Sequence, residues 1–89
     1  MAHARLLIRN IKGLHARASA KLVEVVEAHD ATAVVSKDGM QAGGDSIMGL
    51  LMLAATKGTY IEVETHGREA ETLKDAIAAL VDDKFGEGD

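Results

Sequence analysis

A histidine set directly before a helix, with an arginine two residues later, has the makings of a phosphoryl-accepting site. Gly13-Leu14-His15-Ala16-Arg17 is such a stretch, and the helical period begins at Ala16. The first turn of a helix carries amide N–H groups with no intrahelical partner, and the helix dipole is positive there. That end of a helix attracts anions. Arg17 adds a permanent charge and a fork of donors matched to phosphate oxygens, while a neutral imidazole is a nucleophile near neutral pH. His15 and Arg17 are therefore the candidate reacting pair: one to attack phosphorus, the other to hold the group that results. The sequence has 4 histidines, and the remaining three read as ordinary. His3 lies in a terminal segment, His29 at a helix end where a cation complements the dipole, and His66 just past a strand. No His-Glu or His-x-His spacing joins any of them, so neither a metal nor a cofactor is expected.

A second stretch stands out for its lack of polar side chains. Ile47 to Ala55 reads Ile-Met-Gly-Leu-Leu-Met-Leu-Ala-Ala. On a helix, Leu50, Leu53 and Ala54 point one way and Ile47, Met48, Leu51 and Met52 the other. One sheet in a chain of 89 residues cannot cover both sides of a peripheral helix. The alternative is a fully buried central helix; the reading preferred is an exposed apolar face for docking, with methionine suited to several partners. Ser46 precedes this helix as its N-cap. A phosphate on Ser46 would be compatible with the helix end, yet would add about two negative charges beside the apolar face.

The elements that must position these residues follow from periodicity. Residues 4–10 alternate as a strand with Leu6 and Ile8 on one face, and Asn10 to Gly13 form a loop. From Ala16 to about Ala28 the period is helical, with Ser19, Leu22, Val23 and Val26 on one arc. Residues 31–37 read as a strand, Asp38-Gly39 as a hairpin turn, and residues 40–42 as the returning strand. Gly43-Gly44-Asp45 breaks the pattern before the apolar helix, placed from Ser46 to about Ala55. Residues 60–65 alternate with Ile61, Val63 and Thr65 inward. Ala70, Leu73, Ile77, Leu80 and Val81 then mark a last helix, after which Gly86 to Asp89 is expected to fray. The order β-α-β-β-α-β-α, with one wet sheet face, predicts an α+β two-layer sandwich over residues 1–89 as a single domain.

Composition narrows the function. The chain has no cysteine and 47% apolar residues, so a single aliphatic core must stabilise it without disulfides. One Tyr, one Phe and no Trp leave little for stacking bases, and the formal charge of −4 argues further against nucleic acid. The apolar run Leu6 to Ile8 is too short for a signal core or a membrane span, which makes the cytoplasm the expected location and excludes a membrane role.

Gly13-Leu14-His15-Ala16-Arg17 followed further on by Ser46-Ile47-Met48-Gly49-Leu50 resembles HPr, the histidine-containing phosphocarrier family of the bacterial phosphotransferase system, and the likeness covers nearly the whole chain. The resemblance implies the HPr open-faced β-sandwich, with a four-stranded antiparallel sheet and three helices on one face. It implies a carrier rather than an enzyme, phosphorylated on Nδ1 of His15 by enzyme I, which is charged by phosphoenolpyruvate. The group would pass to an enzyme II A-type protein. Arg17 would stabilise the phosphoryl group, and Ile47, Met48, Leu51 and Met52 would dock both partners. Ser46 matches the site of an HPr kinase/phosphorylase. A shuttle of this kind is expected to be a monomer.

Two positions depart from the family pattern. Ala18 stands where proline is usual, which loosens the first turn without preventing a helix. Asp45 places an acid beside Ser46 and weakens the case for regulation there. Ala18 and the Met-rich helix incline the reading toward a nitrogen-related branch over sugar uptake. A binding-only regulator acting through the second helix is the alternative, and the intact His15–Arg17 pair argues against it. An unrelated α+β ligand or metal module has no cysteine, paired histidines or P-loop to support it.

Overall fold

A computed structural model describes residues 1–87 of the chain. Its elements are β1 (Ala2–Leu7), α1 (Ala16–Glu27), β2 (Thr32–Lys37), β3 (Met40–Gly43), α2 (Ile47–Met52), β4 (Tyr60–His66) and α3 (Ala70–Asp82). A single turn over Lys84–Gly86 follows. The four strands form one antiparallel sheet in the order β1-β4-β2-β3. This is the α+β sandwich that the alternation predicts.

Register follows from the period of two. Leu6 sits opposite Ile61, and Val35 opposite Val63, so the aliphatic side chains of three strands share one face. On that face α3 packs against β1 and β4, α2 against β3, and α1 against α2 and α3. Ile8, Leu22, Val35, Leu50, Ile61, Val63, Leu73 and Ile77 are fully buried between the layers. Each contributes about 1.5–3 kcal/mol by leaving water. Asp38 and Gly39 both have positive φ, at 51° and 81°, which is the two-residue turn that matches strand twist.

Several boundaries differ from the periodicity. β1 starts at Ala2 because pairing with β4 extends to Ala2↔Thr65, and it ends at Leu7. His3 is therefore a strand residue on the open face, 2.8 Å from Glu62, rather than part of a loose terminus. His29 just past α1 lies with Nδ1 2.6 Å from the carbonyl of Val25, serving the helix end. The second helix stops at Met52, short of Ala55, because Ala54 takes a left-handed φ of 53°. Ala54 is consequently exposed, and Ala55 is the residue that is buried.

The larger correction concerns the chain end. Phe85 is fully buried, and Lys84, Phe85 and Gly86 all have positive φ, at 55°, 55° and 74°. A left-handed conformation costs about 1–2 kcal/mol at each non-glycine residue. Burial of the phenyl ring, worth up to about 3 kcal/mol, offsets much of that. Gly86 and Glu87 are thus held against the domain instead of fraying. Gly88 and Asp89 lie outside the described residues.

Candidate functional site

The loop before α1 is shaped by a glycine. Gly13 has φ 64°, and a Cβ there would lie 2.3 Å from the carbonyl oxygen of Ala55. That carbonyl accepts the N–H of Leu14 at 2.8 Å. The left-handed Ala54 thus ends α2 where Ala55 can hold the loop. Leu14 is buried, so the next residue is directed outward. His15 is the N-cap of α1, with φ −77° and ψ −177°, and its carbonyl accepts the first helical bond, from Ser19 at 2.8 Å. Its imidazole caps nothing, so the ring is left for other work.

Among the described residues the ring has one partner. Nε2 of His15 meets Oε2 of Glu87, and the two side chains are 24% and 13% exposed. The other carboxylate oxygen, Oε1, accepts from Nδ2 of Asn10 at 2.9 Å. The same amide nitrogen donates to the carbonyl of Gly13 at 2.7 Å. Asn10, Glu87 and His15 therefore form a continuous chain of contacts. Nδ1 of His15 takes no hydrogen-bond partner among the described residues.

Beside this chain is a depression of about 440 Å³ lined by Ile11, Lys12, Arg17, Lys21, Gly86 and Glu87. Three cations border it although the whole chain has a net charge of −4. Arg17 lies on the exposed side of the first turn. Ala18 is fully buried in that turn. The arrangement joins an unencumbered imidazole nitrogen, a helix N-terminus and local positive charge, which suits reaction with a phosphoryl group.

The second candidate surface adjoins this loop through Ala55. Ser46 caps α2, accepting the N–H of Gly49 on Oγ at 3.1 Å. Ile47, Met48 and Met52 are 40%, 71% and 71% exposed, whereas Leu50 and Leu53 are buried. Leu51 is half-buried between the two sides. The helix therefore shows an apolar outer face. Among the described residues no group of three or more His, Cys, Asp or Glu side chains is arranged to hold a metal ion. No helix among them is long and apolar enough to cross a membrane.

Glu87 and Asn10 were not legible as neighbours of His15. An acid in a glycine-flanked tail reads as solvated, and an asparagine before a loop reads as a turn former. The buried Phe85, the sole phenylalanine, was the one signal that the tail returns to the core.

Residues 2–83 match the family model described as PTS HPr component phosphorylation site. The chain belongs to the HPr family of phosphocarrier proteins. Phosphocarrier protein HPr of Neisseria meningitidis serogroup B is 47% identical over 83 residues, covering 92% of each chain. Phosphocarrier protein NPr of Escherichia coli K12 is 40% identical over 81 residues, covering 90% of each. HPr-C-His from Thermoanaerobacter tengcongensis superposes with a TM-score of 0.93 at 31% identity, covering 98% of both chains. The HPr fold is thereby shared, four strands and three helices included.

Proposed function

We propose that the protein is a phosphocarrier that accepts a phosphoryl group on Nδ1 of His15 from enzyme I and passes it to an enzyme II A-type protein. The observation that carries this reading is the state of the imidazole: Nε2 is engaged by Glu87 while Nδ1 has no hydrogen-bond partner among the described residues, at the N-terminus of α1. Arg17 and the positive dipole end stabilise the charge that the phosphoryl group brings. Enzyme I is charged by phosphoenolpyruvate, and the protein needs no cofactor of its own. It works in the cytoplasm as a single-domain monomer.

The exposed face of Ile47, Met48 and Met52, with Leu51 at its edge, serves as the common dock for donor and acceptor. Ser46 is the position at which an HPr kinase/phosphorylase would interrupt docking, because a phosphate there keeps the cap and charges the surface.

The test is intact-mass measurement after incubation with phosphoenolpyruvate, Mg²⁺ and enzyme I from the same source. The expected result is an acid-labile gain of one phosphate that His15→Ala abolishes. No gain with a demonstrably active enzyme I would overturn the reading.

A further inference from the structure

We infer that Glu87 is a positioning residue for phosphoryl transfer: it holds the His15 ring by its Nε2–H and balances the positive charge that the ring gains when Nδ1 is phosphorylated. This rests on the phosphocarrier reading of His15 and adds to it a role for the end of the chain.

The hydrogen-bond chemistry sets the proton. An ionised carboxylate only accepts, so Nε2 of His15 must carry the hydrogen that meets Glu87. The neutral ring then has its lone pair on Nδ1. Asn10 is oriented by the same logic, since both partners of its side-chain nitrogen, the Gly13 carbonyl and Glu87 Oε1, are acceptors. Asn10 is completely buried, so it is a fixed support for the carboxylate.

The backbone holds Glu87 from its own side too. Phe85 is fully buried, its carbonyl accepts from Lys21 Nζ at 2.6 Å, and the amide of Glu87 donates to the carbonyl of Lys84 at 3.0 Å. A supported acid, an imidazole and a reacting group in line are the arrangement by which a buried aspartate orients the histidine of a serine hydrolase. Here the histidine is itself the nucleophile.

The step balances without moving a proton. The Nδ1 lone pair forms the bond to phosphorus as the bond between phosphorus and the donor's leaving group breaks, and that group departs with the electron pair. Nε2 keeps its hydrogen, so the ring becomes cationic, and the Glu87 carboxylate lies against that charge. In the onward transfer the Nδ1–P bond breaks, the electrons return to the ring and the neutral Nε2–H form is restored.

The test compares wild type with Glu87→Ala and Glu87→Gln. Long-range ¹H–¹⁵N spectra of the neutral His15 ring should show hydrogen on Nε2 and a bare Nδ1 in wild type, with a downfield Nε2–H signal slow enough in exchange to observe. Glu87→Ala should lose that signal, and Glu87→Gln, whose amide oxygen still accepts, should keep part of it. With phosphorylated enzyme I, kcat should fall roughly ten- to hundredfold in Glu87→Ala, the range for one hydrogen bond to a charged group. KM for the carrier should change little, with Glu87→Gln intermediate in kcat. A ring spectrum indifferent to Glu87→Ala, an unchanged kcat, or a loss confined to KM would each overturn the role. Failure of wild type to take up phosphate overturns the underlying carrier reading as well, and the ring spectrum tells the two apart because it requires no transfer.

Discussion

Lys21 on α1 donates its Nζ to the carbonyl of Phe85 at 2.6 Å, tying the end of the chain to the helix that begins at His15. With the phenyl ring of Phe85 in the core, that bond helps to fix the turn that carries Glu87.

Phe85→Ala should destabilise the protein by about 3–5 kcal/mol, the usual loss for emptying a buried aromatic site. A small domain has total stability of about 5–15 kcal/mol, so this single change removes a large share of it. Lys21→Met should cost only about 1 kcal/mol, since one hydrogen bond is lost and the aliphatic stem is kept. Urea titration measures both. Amide exchange at Gly86 and Glu87 should accelerate more than exchange at Ile77 in Lys21→Met, because only the terminal turn is loosened.

Most of the sandwich was legible because its signals are local. Alternation at Ile61, Val63 and Thr65 and the stripe of Leu73, Ile77 and Val81 need no knowledge of partners, and Asp38-Gly39 carries its own turn geometry. The places of His15 and Ser46 directly before α1 and α2 were legible for the same reason, since a helix start is a local signal. What escaped depends on distant partners. Ala54 ends α2 early because Ala55 must reach Leu14, across a separation no window of sequence spans. Glu87 and Asn10 likewise acquire their setting only when the two ends of the chain meet.

Gly13→Ala should cost at least about 2 kcal/mol, because it adds a left-handed alanine to a steric clash. The added Cβ would lie 2.3 Å from the Ala55 carbonyl and 2.9 Å from the Cα of Thr56, and neither backbone atom can yield alone. The loop must then shift, and the bond between Leu14 and Ala55 that directs His15 outward goes with it. Thermal unfolding should show the loss. Phosphate uptake measured well below the transition should also be slower than in wild type.

Ser46→Ala should cost about 1 kcal/mol, the typical value of an N-cap hydrogen bond. Ser46→Asp should nearly retain wild-type stability, since a carboxylate can accept the same Gly49 amide and suits the positive end of the helix. The two variants should exchange rank in transfer assays. Ser46→Ala leaves the outer face neutral and keeps a normal KM, whereas Ser46→Asp sets a second acid next to Asp45 and raises KM. Urea titrations read beside transfer kinetics check the pair.

Met48 and Leu50 are two residues apart on α2 yet should behave oppositely. Leu50 is fully buried, so Leu50→Ala should lose about 2–5 kcal/mol. Met48 is 71% exposed, so Met48→Glu should change stability by no more than about 0.5 kcal/mol. Its effect should lie in docking, where a charge replaces an apolar contact. KM for the carrier in transfer from enzyme I should rise roughly tenfold or more, as for a residue at the centre of an interface, while saturating concentrations of the variant carrier restore the rate. An unchanged KM in a folded Met48→Glu protein would remove α2 from the docking surface and require the donor to approach His15 from the side of Lys12 and Lys21, where the cations gather.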